Sequence, residues 1–352
     1  MTAPLPIDPA ELARLLTPGF LSFVGAHEVK GPIEEIEAHR FLFLTGKGGV
    51  GKTTVSAALA MALAARGKRV LIAMCHTKER LSAILGTRPI GEHVVEVLPG
   101  ISAVNIHPEL ALYEYGLLVL KVKALANAIF KNEYIKAFLR AVPGMYEWAM
   151  LGKAWFHTTE TDDRGKNRFD VVLFDAPATG HGLDMLRVPK VILDVAPPGV
   201  LRRDAERAVA LFRDPKRSGI VVVTLPEEMP VTETIELCQA LENDLAMPVL
   251  RMVVNGVLPP LFDDEEREKL AAQSELLTIE AARRAELGEH AGIVAAARRA
   301  VRENVQRESL KRLLASVTER AVLLPNLFDE ASTRAGTETL AKVLGAPHVI
   351  GR

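Results

Sequence analysis

Phe41-Leu42-Phe43-Leu44-Thr45 runs without a break into Gly46-Lys47-Gly48-Gly49-Val50-Gly51-Lys52-Thr53-Thr54. The first five residues read as a buried strand and 52 to 66 as a helix, so Gly-x-x-x-x-Gly-Lys-Thr stands in the strand–loop–helix context that gives this motif its meaning. Gly46, Gly48, Gly49 and Gly51 open backbone conformations closed to other residues, letting consecutive N–H groups around Val50 turn inward on a β-phosphate. The helix that begins at Lys52 directs its N-terminal dipole at the same anion. Lys52 is expected to reach the β- and γ-phosphates, and the Thr53 hydroxyl, beside Thr54, to ligate Mg²⁺. The chain must therefore contain an α/β sheet with a phosphate site at a strand end.

Composition narrows the remaining classes. The chain has 352 residues, 49% hydrophobic and 25% charged, with a net charge of −1. That length supports one large α/β domain or two smaller ones, and the balance of charge gives no reason to expect nucleic acid as a partner. Cys75 and Cys238 are isolated in sequence, which argues against a disulfide framework, a zinc site built from cysteines, or a Cys-x-x-Cys redox centre. No apolar run approaches about 20 residues, and Met1 to Asp8 lacks the basic and apolar regions of a signal peptide. A cytoplasmic protein with at most indirect membrane association is the expectation.

From Phe41 onward short apolar runs alternate with helical stretches, the pattern of a doubly wound, mainly parallel sheet covered on both faces. Strands are expected at 41–45, 69–74, 101–106, 169–174, 191–195, 219–225, 249–254 and 321–324. Residues 1–38 read as an N-terminal extension with one helix at 9–16, and 39–352 as the main domain. Two helical insertions, 108–158 and 262–318, imply a helical subdomain beside the sheet. The first is apolar around much of its circumference, with Leu117 to Leu120 consecutive, and such a surplus needs a cover: the second insertion, another subunit or an apolar client.

Phe169-Asp170-Val171-Val172-Leu173-Phe174-Asp175 is a strand ending in an aspartate placed to hold Mg²⁺ or its water, followed by a turn that can sense a γ-phosphate. These elements carry a family resemblance. Gly-Lys-Gly-Gly-Val-Gly-Lys-Thr, with Lys47 just after the first glycine, is similar to the deviant P-loop (deviant Walker A) of ParA, MinD, nitrogenase iron protein and the ArsA and Get-pathway ATPases. Asp175-Ala176-Pro177-Ala178-Thr179-Gly180-His181 resembles switch II of the ArsA/Get branch, with the proline displaced by one position from the usual Asp-Thr-Ala-Pro-Thr-Gly-His. Pro226-Glu227 with Glu233-Thr234 is similar to that family's Pro-Glu…Glu-Thr segment. Val253-Val254-Asn255-Gly256-Val257 resembles the strand end whose asparagine recognises adenine, although Asn-Gly is also a common turn former. The resemblance spans roughly residues 40–345. It implies ATP and Mg²⁺ as ligands, Thr53 and Asp175 at the metal, and Pro226, Glu227 and Asn255 near the nucleotide. It further implies a dimer in which Lys47 reaches the other subunit's nucleotide, and a helical subdomain for a client.

One departure bears on turnover. In the family the second strand ends in a switch I aspartate that orients or activates the attacking water, whereas alignment through Gly67-Lys68-Arg69-Val70 places His76 there. Two readings stand: hydrolysis is absent or very slow, or His76, Glu79 or a partner's group substitutes, a neutral imidazole being able to accept a proton near neutral pH. Function accordingly divides into an ATP-driven targeting or chaperone-like ATPase (catalytic set Lys47, Lys52, Asp175, His76) and a hydrolysis-impaired nucleotide-binding regulatory or scaffold subunit. Either works as a homodimer or as a heterodimer with a paralogue, and the client's contribution would be an apolar helix. An arsenite pump would need thiolates gathered at one site, which the separation of Cys75 and Cys238 opposes. The arginine cluster from Arg283 to Arg312 is interleaved with Glu280, Glu286, Glu289, Glu303 and Glu308, a solvated helical face and not a DNA surface.

Overall fold

The structure, a computed structural model, describes residues 32–75, 78–177, 181–247, 249–273, 291–317 and 321–345. In chain order these form α1 (Pro32–Ile36), β1 (Phe41–Thr45), α2 (Lys52–Ala65), β2 (Val70–Cys75), α3 (Leu81–Leu85), β3 (Val95–Leu98), β4 (Ile101–Ile106), α4 (Pro108–Leu120), α5 (Lys123–Lys131), α6 (Glu133–Ala141) and α7 (Met145–Thr159). There follow β5 (Val171–Asp175), α8 (His181–Val195), α9 (Val200–Phe212), β6 (Ser218–Thr224), α10 (Glu228–Ala240), β7 (Val249–Val257), α11 (Asp264–Ala272), α12 (Ala291–Ser316), β8 (Ala321–Pro325) and α13 (Arg334–Gly345). The strands make one sheet in the order β3-β4-β2-β5-β1-β6-β7-β8. All its pairings are parallel except that of β3 with β4.

Period-two alternation assigns each strand residue to one of two packed layers. Phe41, Phe43, Phe174, Ile220, Val222 and Val254 face the side covered by α4 and by α7 to α10 and α12. Leu42, Leu44, Ile72, Leu173, Val221 and Val223 face α2, α3 and α13. Both faces are buried, which is why the strands read as continuous apolar runs. Phe43 stacks at 5.1 Å from Phe174, and Phe41 at 5.5 Å from Phe212. Burial of side chains of this size contributes about 1.5–3 kcal/mol each.

One expected strand fails, and one strand goes unforeseen. Residues 191–195 are the last turn of α8, not a strand. Met185, Val188 and Ile192 are buried at helical spacing while Val191 and Val195 are exposed, so period 3.6 outweighs the β-branched composition. Strand β3 escapes the sequence because it is a short antiparallel edge, half-exposed along its length.

The first insertion folds into α4 to α7, with α4 packed along α7. Gly116 lets α5 approach α4: a Cβ there would lie 2.4 Å from Phe130. Tyr113 closes the same contact, its hydroxyl donating to Asn127 at 2.6 Å. The second insertion is seen as α11 and α12; residues 274–290 of it lie outside the described residues. Arg267 is buried and donates to Asn304 at 2.9 Å, joining α11 to α12. Gln306 pairs with both the N–H and the carbonyl of Leu258, each at 2.8 Å, tying α12 to the chain leaving β7. Within the arginine cluster, Arg299 pairs with Glu303 and Lys311 with Glu308. Of the N-terminal extension, residues 32–38 are docked on the main body, with Ile33 and Ile36 in the core and Glu35 paired to Arg251 of β7; 1–31, including the helix expected at 9–16, lie outside the described residues.

Candidate functional site

β1, β5 and β6 are neighbours in the sheet, and successive connections leave them in opposite directions, so their carboxyl ends open onto a crevice at a topological switch point. The glycine loop sits there. Gly46 has φ 147°, and a Cβ on it would lie 2.0 Å from the carbonyl oxygen of Val223 in β6. Gly51, the N-cap of α2, has φ 88°, and its Cβ would fall 2.4 Å from the Asn255 amide. Gly49 is also left-handed, whereas Gly48, expected to behave alike, is not.

Around this loop the structure gathers most of the side chains picked out by sequence. Lys52 Nζ donates to the carbonyls of Gly46 and Lys47 at 2.9 and 3.0 Å, which holds the ammonium against the loop. Burial lowers its pKa, and the charge of Asp175 opposes that shift. The Thr53 hydroxyl donates to Asp175 Oδ2 at 2.7 Å, bringing together two residues 122 positions apart. Burial raises the Asp175 pKa, against the hydrogen bond from Thr53 and the charge of Lys52. A hydroxyl and a carboxylate in contact are hard oxygen donors of the kind Mg²⁺ takes, with remaining positions left to water and phosphate. Asn255, at the end of β7, donates to the Val50 carbonyl at 2.9 Å and so braces the loop from the side opposite Asp175.

Lys47 has a different partner from Lys52. Its Nζ lies 2.5 Å from Glu233 Oε1 on α10, and both side chains are about one-third exposed, at 31% and 32%. No sequence signal linked these two residues, 186 positions apart, although each lay in a segment of interest. Pro226 is buried and Glu227 exposed in the turn from β6 into α10, with Glu227 as the N-cap. His76 and residues 178–180 of the switch II turn lie outside the described residues; His181 begins α8. Glu79 is committed elsewhere, accepting from the Ser82 amide at 2.6 Å and from its hydroxyl at 2.5 Å at the start of α3. Cys75 ends β2 in the core, where burial, then the charge of Asp175, pushes its pKa well up. A thiol held protonated is a poor ligand for metalloids.

The sheet order, the loop and the Thr53–Asp175 contact define a P-loop nucleotide-binding α/β protein. The chain belongs to the anion-transporting ATPase (ArsA) family, whose model matches residues 39–196 and 201–282. Among curated relatives, the ATPase BagA of Mycobacterium tuberculosis is 27% identical over 237 residues, covering 66% of this chain and 69% of that protein. An arsenical pump-driving ATPase of Escherichia coli is 28% identical over 234 residues, 62% of this chain but only 40% of the pump protein. The ATPase GET3 of Kluyveromyces lactis is 25% identical over 261 residues, 64% of this chain and 74% of the relative. No helix among the described residues is long and apolar enough to cross a membrane.

Proposed function

We propose that this protein is an ATP-binding, Mg²⁺-dependent dimeric ATPase whose nucleotide state controls its helical insertions for an apolar client. The observation that carries the nucleotide assignment is the 2.7 Å contact of Thr53 with Asp175 beneath the glycine loop. In this reading the loop amides from Gly46 to Thr54 and the Lys52 ammonium hold the phosphates, Thr53 and Asp175 hold Mg²⁺, and Asn255, Pro226 and Glu227 border the base. Mg²⁺ when bound neutralises charge on the phosphates. Lys47 exchanges the Glu233 carboxylate for a phosphate of the other subunit. Support for a client comes from Leu118, Val122 and Leu125, which are 65%, 53% and 47% exposed at the α4–α5 junction.

A second reading, a slow or inactive subunit paired with an active paralogue, is favoured by two facts: histidine stands at the switch I position, and the nearby Glu79 is occupied by Ser82. ATP turnover of the purified chain with and without Mg²⁺, beside Asp175→Asn and His76→Asp, separates the two. Mg²⁺-dependent turnover lost in Asp175→Asn supports the ATPase. A silent wild type that His76→Asp awakens supports the regulatory subunit, and absence of any nucleotide binding would sink both.

A further inference from the structure

Between α4, α7 and α9 lies a cavity of about 480 Å³, within the size range of small-molecule sites. Its walls include Tyr115, Trp148, Trp155 and Phe156, and its charged lining is Glu114, Lys153 and Asp204. Gly152 also lines it, in the interior of α7, where a Cβ would meet nothing within 4 Å. Glycine is the least favourable helix-interior residue short of proline, so α7 forgoes stability at a position that opens onto the cavity.

The polar groups indicate what would enter. Lys153 Nζ sits 2.6 Å from Glu114 Oε2 and 5.6 Å from the centre of the Phe156 ring, so the site already holds one ammonium between a carboxylate and an aromatic face. Asp204 accepts a hydrogen bond from Tyr115 at 3.3 Å. The Tyr115 phenol, pushed up to about 12 by burial and then by the Asp204 charge, is a donor at neutral pH as an ordinary phenol is. Outside the cavity Asp204 has Arg207 at 3.6 Å, but that guanidinium is 71% exposed and screened by solvent. The lining therefore carries two carboxylates against one ammonium. The geometry points to a binding site for a small organic cation, an ammonium on an aromatic or branched aliphatic body, seated with the body against Trp148 and Trp155 and the ammonium on Asp204. No residue of the glycine loop takes part, so the site stands apart from the nucleotide assignment.

Trp148 and Trp155 are the chain's two tryptophans, so intrinsic emission reads the cavity directly. Titrating the full chain with 2-phenylethylammonium should give a saturable emission change at or below about 1 mM. 2-Phenylethanol and phenylacetate, which lack the positive charge, should bind at least about tenfold more weakly, and Asp204→Asn should weaken the cation about tenfold. Gly152→Leu, which fills the cavity and improves the helix, should abolish the response while leaving the melting temperature no lower than that of the wild type. If Gly152→Leu melts lower, the Asp204→Asn titration and the phenylacetate comparison carry the test alone. No saturable change up to about 10 mM, equal binding of phenylacetate, or an undiminished response in a folded Gly152→Leu would overturn the assignment.

Discussion

In the proposed dimer, release of the Lys47–Glu233 pair would set the terms of assembly. Two side chains about one-third exposed hold each other with only ~0.2–1 kcal/mol, so a phosphate from another subunit can displace the carboxylate. Glu233→Gln is expected to tighten ATP-dependent self-association by up to about fivefold, and Lys47→Ala to abolish it. Light scattering across a concentration series with ATP reads both; self-association that ignores Lys47 refutes the role given to it. Asp175 supplies a second test. Burial raises its folded pKa above the unfolded value, so its contribution to stability is present below the unfolded pKa and lost as pH rises through the folded one. Without Mg²⁺ or nucleotide, Asp175→Asn should therefore melt higher than wild type at neutral pH, with the gain vanishing in acid. Thermal melts at several pH values check the sign. The motif residues were legible because each lies within one short segment of known geometry, whereas Glu233 as partner of Lys47 was not, since nothing local joins β1 to α10.

At the scale of the element, α7 carries both the cavity wall and a pH-dependent contact. His157 is buried with Nδ1 2.7 Å from Glu160 Oε2. Burial holds its imidazole below the ordinary 6.5, against the pull of Glu160. With the folded pKa below the unfolded one, this contribution is present above 6.5 and is lost as pH falls through the folded value. Melting temperature should decline between about pH 7 and pH 5, and His157→Gln should flatten that decline. The α4–α5 contact gives a steric test: Gly116→Ala places a methyl group 2.4 Å from Phe130, and overpacking of this kind costs about 1–3 kcal/mol. Denaturant midpoints measure it, and a neutral result would mean that α5 moves without cost. Elements with a clear period were readable in sequence, as β1 and β4 show by matching at both ends. The misread segment 191–195 failed because its four β-branched or apolar residues look alike in a strand and at a helix end; the burial of Ile192 beside Met185 and Val188 distinguishes them.

For the whole molecule, the sheet acts as a single plate on which the loop, the switch strand and the helical insertions are mounted. α1 is part of it: Ile33 and Ile36 are each 1% exposed, and Glu35 reaches Arg251 on β7. Ile36→Ala should cost about 2–5 kcal/mol of unfolding free energy, measured by denaturant titration, and a loss below 1 kcal/mol would show that α1 only rests on the surface. The sequence alone determined that a strand–loop–helix carries the phosphate-loop motif, that a mainly parallel sheet surrounds it, and that the chain resembles the ArsA/Get ATPases. Those conclusions rest on local periodicity and on motifs whose geometry is set within about a dozen residues. Only the tertiary structure decided that Thr53 meets Asp175, that Asn255 braces Val50, that Lys47 is held by Glu233, and that Gly152 opens a cavity beside both tryptophans. Each of these depends on which strands become neighbours and which helix faces meet, a choice made by packing the whole chain and not by any one segment.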